Sequence, residues 1–138
     1  MDEQEELSPQ RLQQRIQDWK ERLTNLYEQI SDWAANNNLK AAPGGEIVMN
    51  EELMQQMNVP TTNLPTLEIH SGNTLAISIK PKGLWVIGAN GRVDLICKKG
   101  SFMLVDTAPP LETPDWKLFG PSKRDGKPFE TSQLSDLI

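Results

Sequence analysis

Few residue types in this chain can do chemistry. It holds one histidine, His70, and one cysteine, Cys97. Two such residues fall short of the four His and Cys ligands that a structural zinc site requires. They would serve as nucleophile and base only if the fold brought them within hydrogen-bond reach. The local pattern points elsewhere. Cys97 alternates with apolar Val93 and Leu95, and His70 ends a segment whose apolar residues are Leu67 and Ile69. A core thiol and an exposed imidazole are the expectation. Glycine-rich phosphate loops, the G-x-S-x-G elbow and H-E-x-x-H are all absent from the sequence.

A second constellation is acidic. Asp94 or Asp106 followed by Asp115-Trp116-Lys117 resembles the PD-(D/E)xK nuclease pattern, in which two carboxylates hold Mg²⁺ and a lysine positions the attacking water. Asp115, however, follows Pro114 in a Pro-rich connection, and aspartate at a strand end also caps turns. A metal-dependent nuclease is therefore the third reading. No catalytic residue, metal ligand or cofactor is expected.

The elements that would position these residues are written in two periods. Ser8-Pro9 marks a helix start, because Ser can cap free N–H groups and Pro is tolerated at the first helical position. Apolar residues then fall at Leu12, Ile16, Trp19, Leu23, Leu26, Ile30 and Trp33, with gaps alternating between four and three. Asn36-Asn37-Asn38 and Pro43-Gly44-Gly45 end the run. Beyond them the period shortens to two, in the segments 67–70, 75–79 and 92–97, with continuous apolar runs at 84–87 and 102–105. Turn signals separate these segments at Ser71-Gly72-Asn73, Lys82-Gly83, Asn90-Gly91 and Lys99-Gly100, and a further strand is expected near Trp116–Phe119. Residues 46–64 read either as a strand at Glu46–Met49 or as a short helix capped by Asn50 over Glu51–Met57. The expected fold is α+β, a long amphipathic helix on an antiparallel meander of five or six strands with a short C-terminal helix. Its parts are an acidic stretch over 1–8, the helix over 9–38, and the sheet with its C-terminal helix over 46–138, folding as one unit with the helix.

Charge suggests two surfaces. The helix positions flanking the apolar stripe carry Arg15, Lys20 and Arg22, all basic. Either the stripe packs on the sheet, or Arg15, Trp19, Lys20, Arg22 and Trp33 meet an acidic partner or a second helix. Like charges at Arg15 and Lys20 would oppose each other in a parallel self-pair. The second surface follows from strand parity. If strands run 75–79, 84–88, 92–97, 101–106 and 115–119, the connections holding Lys80, Lys82, Lys98, Lys99, Lys123, Arg124 and Lys127 share one rim of the sheet. Such a rim would attract an anionic partner, although lysines in turns also keep sheet edges soluble.

The whole-chain numbers fit binding rather than catalysis. At 138 residues the chain suits one domain, and a net charge of −5 argues against a surface that coats nucleic acid. The lone Cys97 suits a reducing compartment, the acidic start is unlike a signal peptide, and no apolar run reaches the ~18 residues of a membrane span. The sequence thus predicts a cytoplasmic, non-catalytic adaptor, inhibitor or assembly subunit that binds an acidic protein partner. Self-association is left open. The alternative is a binder of nucleic acid or a phosphorylated ligand through the basic rim.

Overall fold

The computed structural model describes residues 8–85, 89–121 and 126–138. Helix α1 spans Pro9–Asn36. The Ser8 hydroxyl accepts the Arg11 N–H at 3.1 Å, and Pro9 follows it in the first turn. At the other end Asn38 takes a left-handed φ of 58°, and the Leu39 N–H returns to the Ala34 carbonyl at 2.8 Å. That bond satisfies a carbonyl the helix leaves unpaired. All seven residues of the apolar stripe are buried, together with Arg15, Arg22 and Ala34. The stripe is the core of this chain.

Seven strands follow in an antiparallel sheet ordered as they occur in sequence: β1 (Lys40–Met49), β2 (Thr62–Ser71), β3 (Thr74–Gly83), β4 (Arg92–Cys97), β5 (Gly100–Asp106), β6 (Trp116–Phe119) and β7 (Lys127–Pro128). The architecture is α+β, with α1 packed on the inner face. Inward residues alternate along the strands, giving Ile77 and Ile79, Val93 and Leu95, and Leu104. Each buried aliphatic side chain of this kind contributes about 1.5–3 kcal/mol by leaving water. A short helix α2 (Glu52–Gln56) links β1 to β2 and buries Met54. The C-terminal 3₁₀ helix, Thr131–Leu137, docks on α1 and puts Leu134 and Leu137 into the same core. No helix among the described residues is long and apolar enough to cross a membrane.

Several expectations shift. Segment 46–64 holds both of its alternatives, a strand and then a helix, but Glu51 rather than Asn50 is the N-cap residue. The Glu51 carboxylate accepts the backbone N–H groups of Leu84 and Trp85 at 2.9 and 3.2 Å. Strand β1 runs straight through Pro43-Gly44-Gly45, where the register shifts. An edge strand tolerates Pro and a bulge because one row of N–H groups is unpaired anyway. Asn90-Gly91 is not a hairpin turn. Asn90 is buried and its N–H donates to the Asp106 carbonyl at 2.7 Å. Gly91 has a φ of 116°, and a Cβ there would overlap the Trp19 ring. Only glycine meets both conditions.

The expected strand at 84–88 changes most. β3 continues through Pro81, which pairs with Val93, to Gly83, and Leu84 and Trp85 form a bend. Val86 and Ile87 lie outside the described residues. One fewer reversal inverts the parity of everything before it. Lys80 and Lys82 therefore sit near the end of β3 that leads into residues 84–91, whereas Lys98 and Lys99 form the β4–β5 turn at the opposite end. The seven-residue basic rim is corrected to Lys98, Lys99 and Lys127 at one end, with Lys80 and Lys82 at the other. Lys123 and Arg124 lie outside the described residues.

Candidate binding cleft

Positions 15, 22 and 29 lie seven residues apart on α1, so they form one row along the flank of its buried stripe. Strand β5, the loops of the sheet and α1 itself supply partners for the first two. Arg15 Nη2 donates to Asn90 Oδ1 at 2.8 Å, and its guanidinium lies 5.8 Å from the centre of the Trp85 ring. Arg22 is held from three sides: Nε donates to Asp18 Oδ2 at 2.7 Å, Nη1 to Asp106 Oδ2 at 2.5 Å, and Nη2 to the Glu112 carbonyl. The third member, Gln29, opens onto a cleft instead.

Asp106 is the hinge pin of this arrangement. It is fully buried, and its second oxygen, Oδ1, accepts the N–H groups of Ala108 and Asp115 at 3.0 and 2.9 Å. Two backbone amides and a guanidinium thus use both carboxylate oxygens, which is how a buried charge is tolerated. The Thr107 N–H adds a bond to the Asp115 carbonyl at 2.9 Å. The Pro-rich connection 107–115 is thereby fixed against α1, and it delivers Trp116 to pack at 6.2 Å against Trp19.

Between the second half of α1 and this connection lies a cleft of about 610 Å³. One wall is Asn25, Leu26, Glu28, Gln29 and Asp32 of α1, of which Asn25, Gln29 and Asp32 share a face at spacings of four and three along two helical turns. The other is Thr113–Trp116 with Pro128 and Phe129. The Phe129 N–H donates to the Trp116 carbonyl at 2.9 Å, tying the two aromatic residues together. Three carboxylates, Glu28, Asp32 and Asp115, line the cleft, and no described basic residue does. Asp115 lies 3.4 Å from Lys117, while Glu28 and Asp32 have no ion pair among the described residues.

The residues singled out from sequence are distributed otherwise. Arg15, Trp19, Arg22 and Trp33 are at most 7% exposed, covered by this chain's own sheet and loops, so the helix-flank surface is corrected to Lys20 alone. Lys99 is engaged by the Asp136 carbonyl, and Lys98 lines a small pocket with Leu75 and Ile138. Cys97 and His70 are both half-buried; His70 lies 3.0 Å from Glu68. The acidic constellation does not assemble as a metal site: Asp106 serves Arg22, Asp94 pairs with Arg92 at 2.9 Å, and no metal-holding group of three ligands occurs among the described residues. Sequence reasoning missed the cleft. Its available signal was the polar spacing Asn25, Glu28, Gln29 and Asp32, which runs from the flank of the apolar stripe to its far side. The chain matches no protein-family model, no curated protein and no solved structure.

Proposed function

We propose that this protein is a non-catalytic binding module that holds a segment of a protein partner in the cleft between α1 and residues 113–116. The observation that carries this reading is the pairing of a fixed frame with a wet, partly aromatic surface. Arg22 and Asp106 lock the two walls from behind, and most of the lining residues, Glu28, Gln29, Asp32, Thr113 and Asp115 among them, are exposed. Ligand sites are concave surfaces in which apolar and aromatic side chains stand beside polar groups that fix orientation, and this cleft, richer in polar groups than most, has Trp116 and Phe129 as its aromatic part. Preorganised walls also lower the ordering cost of association. The free thiol of Cys97 supports a reducing compartment such as the cytoplasm. Lys98, Lys99 and Lys127 at one sheet end support a second reading, an acidic or phosphorylated partner on that end.

Photo-crosslinking from source cells tests the first reading. A crosslinker at Gln29 or Thr113 is expected to trap one recurrent protein, and one at Ser101 on β5 is not. Gln29→Arg together with Thr113→Arg, which fills the cleft, should abolish trapping at Glu28 while leaving the melting temperature unchanged. Equal trapping at Ser101 would remove the cleft as the binding surface.

A further inference from the structure

We infer that the occupant of the cleft is an extended, basic peptide segment of a protein partner, with Lys or Arg at alternate positions. This rests on the cleft being the binding surface, and it adds the chemistry and the register of what binds. The charge argument comes first. Glu28 and Asp32, which have no ion pair among the described residues, line the cleft together with Trp116 and Phe129, and Asp115 adds a third carboxylate that lies 3.4 Å from Lys117. Aromatic faces beside carboxylates favour a cation twice, through the ring quadrupole and through direct attraction.

Length comes second. From Asn25 to Asp32 the α1 wall climbs seven residues, about 10 Å at the helical rise, which is the span of about three residues of an extended chain. Glu28 and Asp32 stand one turn apart, about 6 Å along the axis. Side chains on the same face of an extended peptide recur every two residues, about 6.6 Å. A Lys-x-Lys or Arg-x-Arg segment laid along α1 therefore meets both carboxylates in register. Its intervening residue faces away from them.

The test is amide NMR of the ¹⁵N-labelled full chain with three synthetic peptides, Ac-Gly-Lys-Gly-Lys-Gly-NH₂ and its Gln and Glu counterparts. The Lys peptide should shift the amides of 25–32, Trp116 and Phe129. Its affinity should fall about tenfold in the doubly substituted Glu28→Gln, Asp32→Gln chain, as the loss of two partly screened ion pairs implies. Both positions are exposed, so the substituted chain keeps its fold. Equal binding of the Gln peptide at these amides would overturn the basic occupant and leave the cleft as the site. No response at the cleft to any peptide, whether or not the Glu peptide shifts amides around Lys98 and Lys99, would overturn both.

Discussion

Arg22 and Asp106 form a buried ion pair whose worth depends on what it is compared with. Removing two charges from water costs several kcal/mol, so the pair is weak evidence of stability, yet breaking it leaves one charge buried alone. Asp106→Ala is expected to destabilise the chain by about 3–5 kcal/mol in urea denaturation, whereas Arg22→Met with Asp106→Leu recovers much of that loss. If the double variant were as unstable as the single one, the amides of Ala108 and Asp115, and not Arg22, would be the partners that matter. Tyr27 carries a second residue-scale consequence. Its hydroxyl donates to the Pro65 carbonyl at 2.8 Å, and burial pushes its pKa above the ordinary tyrosine range. Below about pH 10 the folded and unfolded chains both keep this proton; above it the unfolded chain loses it first, so stability falls as pH rises. Tyr27→Phe should flatten that alkaline decline, measured as urea midpoints across the range. These pairings were closed to the sequence. The partner of Arg22 lies 84 positions away, and a basic residue beside an apolar stripe reads as solvated until its carboxylate is located.

At the scale of elements, α1 was legible because each local signal agrees with the others: a capped start, an uninterrupted seven-residue repeat, and an Asn that accepts the left-handed turn. The stripe had two readings, core or interface, and the 0% exposure of Trp19 decides for the core. Trp19→Ala should therefore cost about 3 kcal/mol or more by chemical denaturation, since its ring fills the space over Gly91 and against Trp116. A variant that kept its urea midpoint would show that α1 detaches readily from the sheet. Strand existence was also legible from the two-residue period, but strand number was not. Pro81-Lys82-Gly83 carries every turn signal, yet β3 passes through it because β2 pairs with β3 only up to Leu67–Ile79. Pro81 pairs with Val93 of β4 and with no residue of β2, so it sits where the sheet has narrowed to one neighbour. That one misplaced reversal scattered the predicted rim. A meander alternates ends, so an error of one strand moves every earlier loop to the wrong side.

For the whole molecule, the parity correction sets Lys98 and Lys99 apart from the acidic cleft. Lys98 and Lys99 sit beyond the Cys97–Gly100 row of β4 and β5, while Trp116 pairs with Asp106 at the far end of β5. The six steps from Gly100 to Asp106 span about 20 Å at the strand rise. The Debye length is about 8 Å at physiological ionic strength and about 30 Å at 0.01 M. Lys98 and Lys99 are thus electrically separate from the acidic cleft in ordinary salt and coupled to it when salt is removed, whereas Lys127 adjoins the cleft residue Pro128. Reversing the basic end with Lys98→Glu and Lys99→Glu should change the affinity of the cleft for a basic peptide by less than about twofold at 0.15 M salt. At low salt the same variant should bind that peptide more tightly than the parent, because two repelling charges have become attracting ones. Titration calorimetry at the two ionic strengths reads both effects. A large change at physiological salt would mean that the basic end and the occupant are in contact, and that the binding surface runs the length of β5 and β6 instead of ending at Trp116.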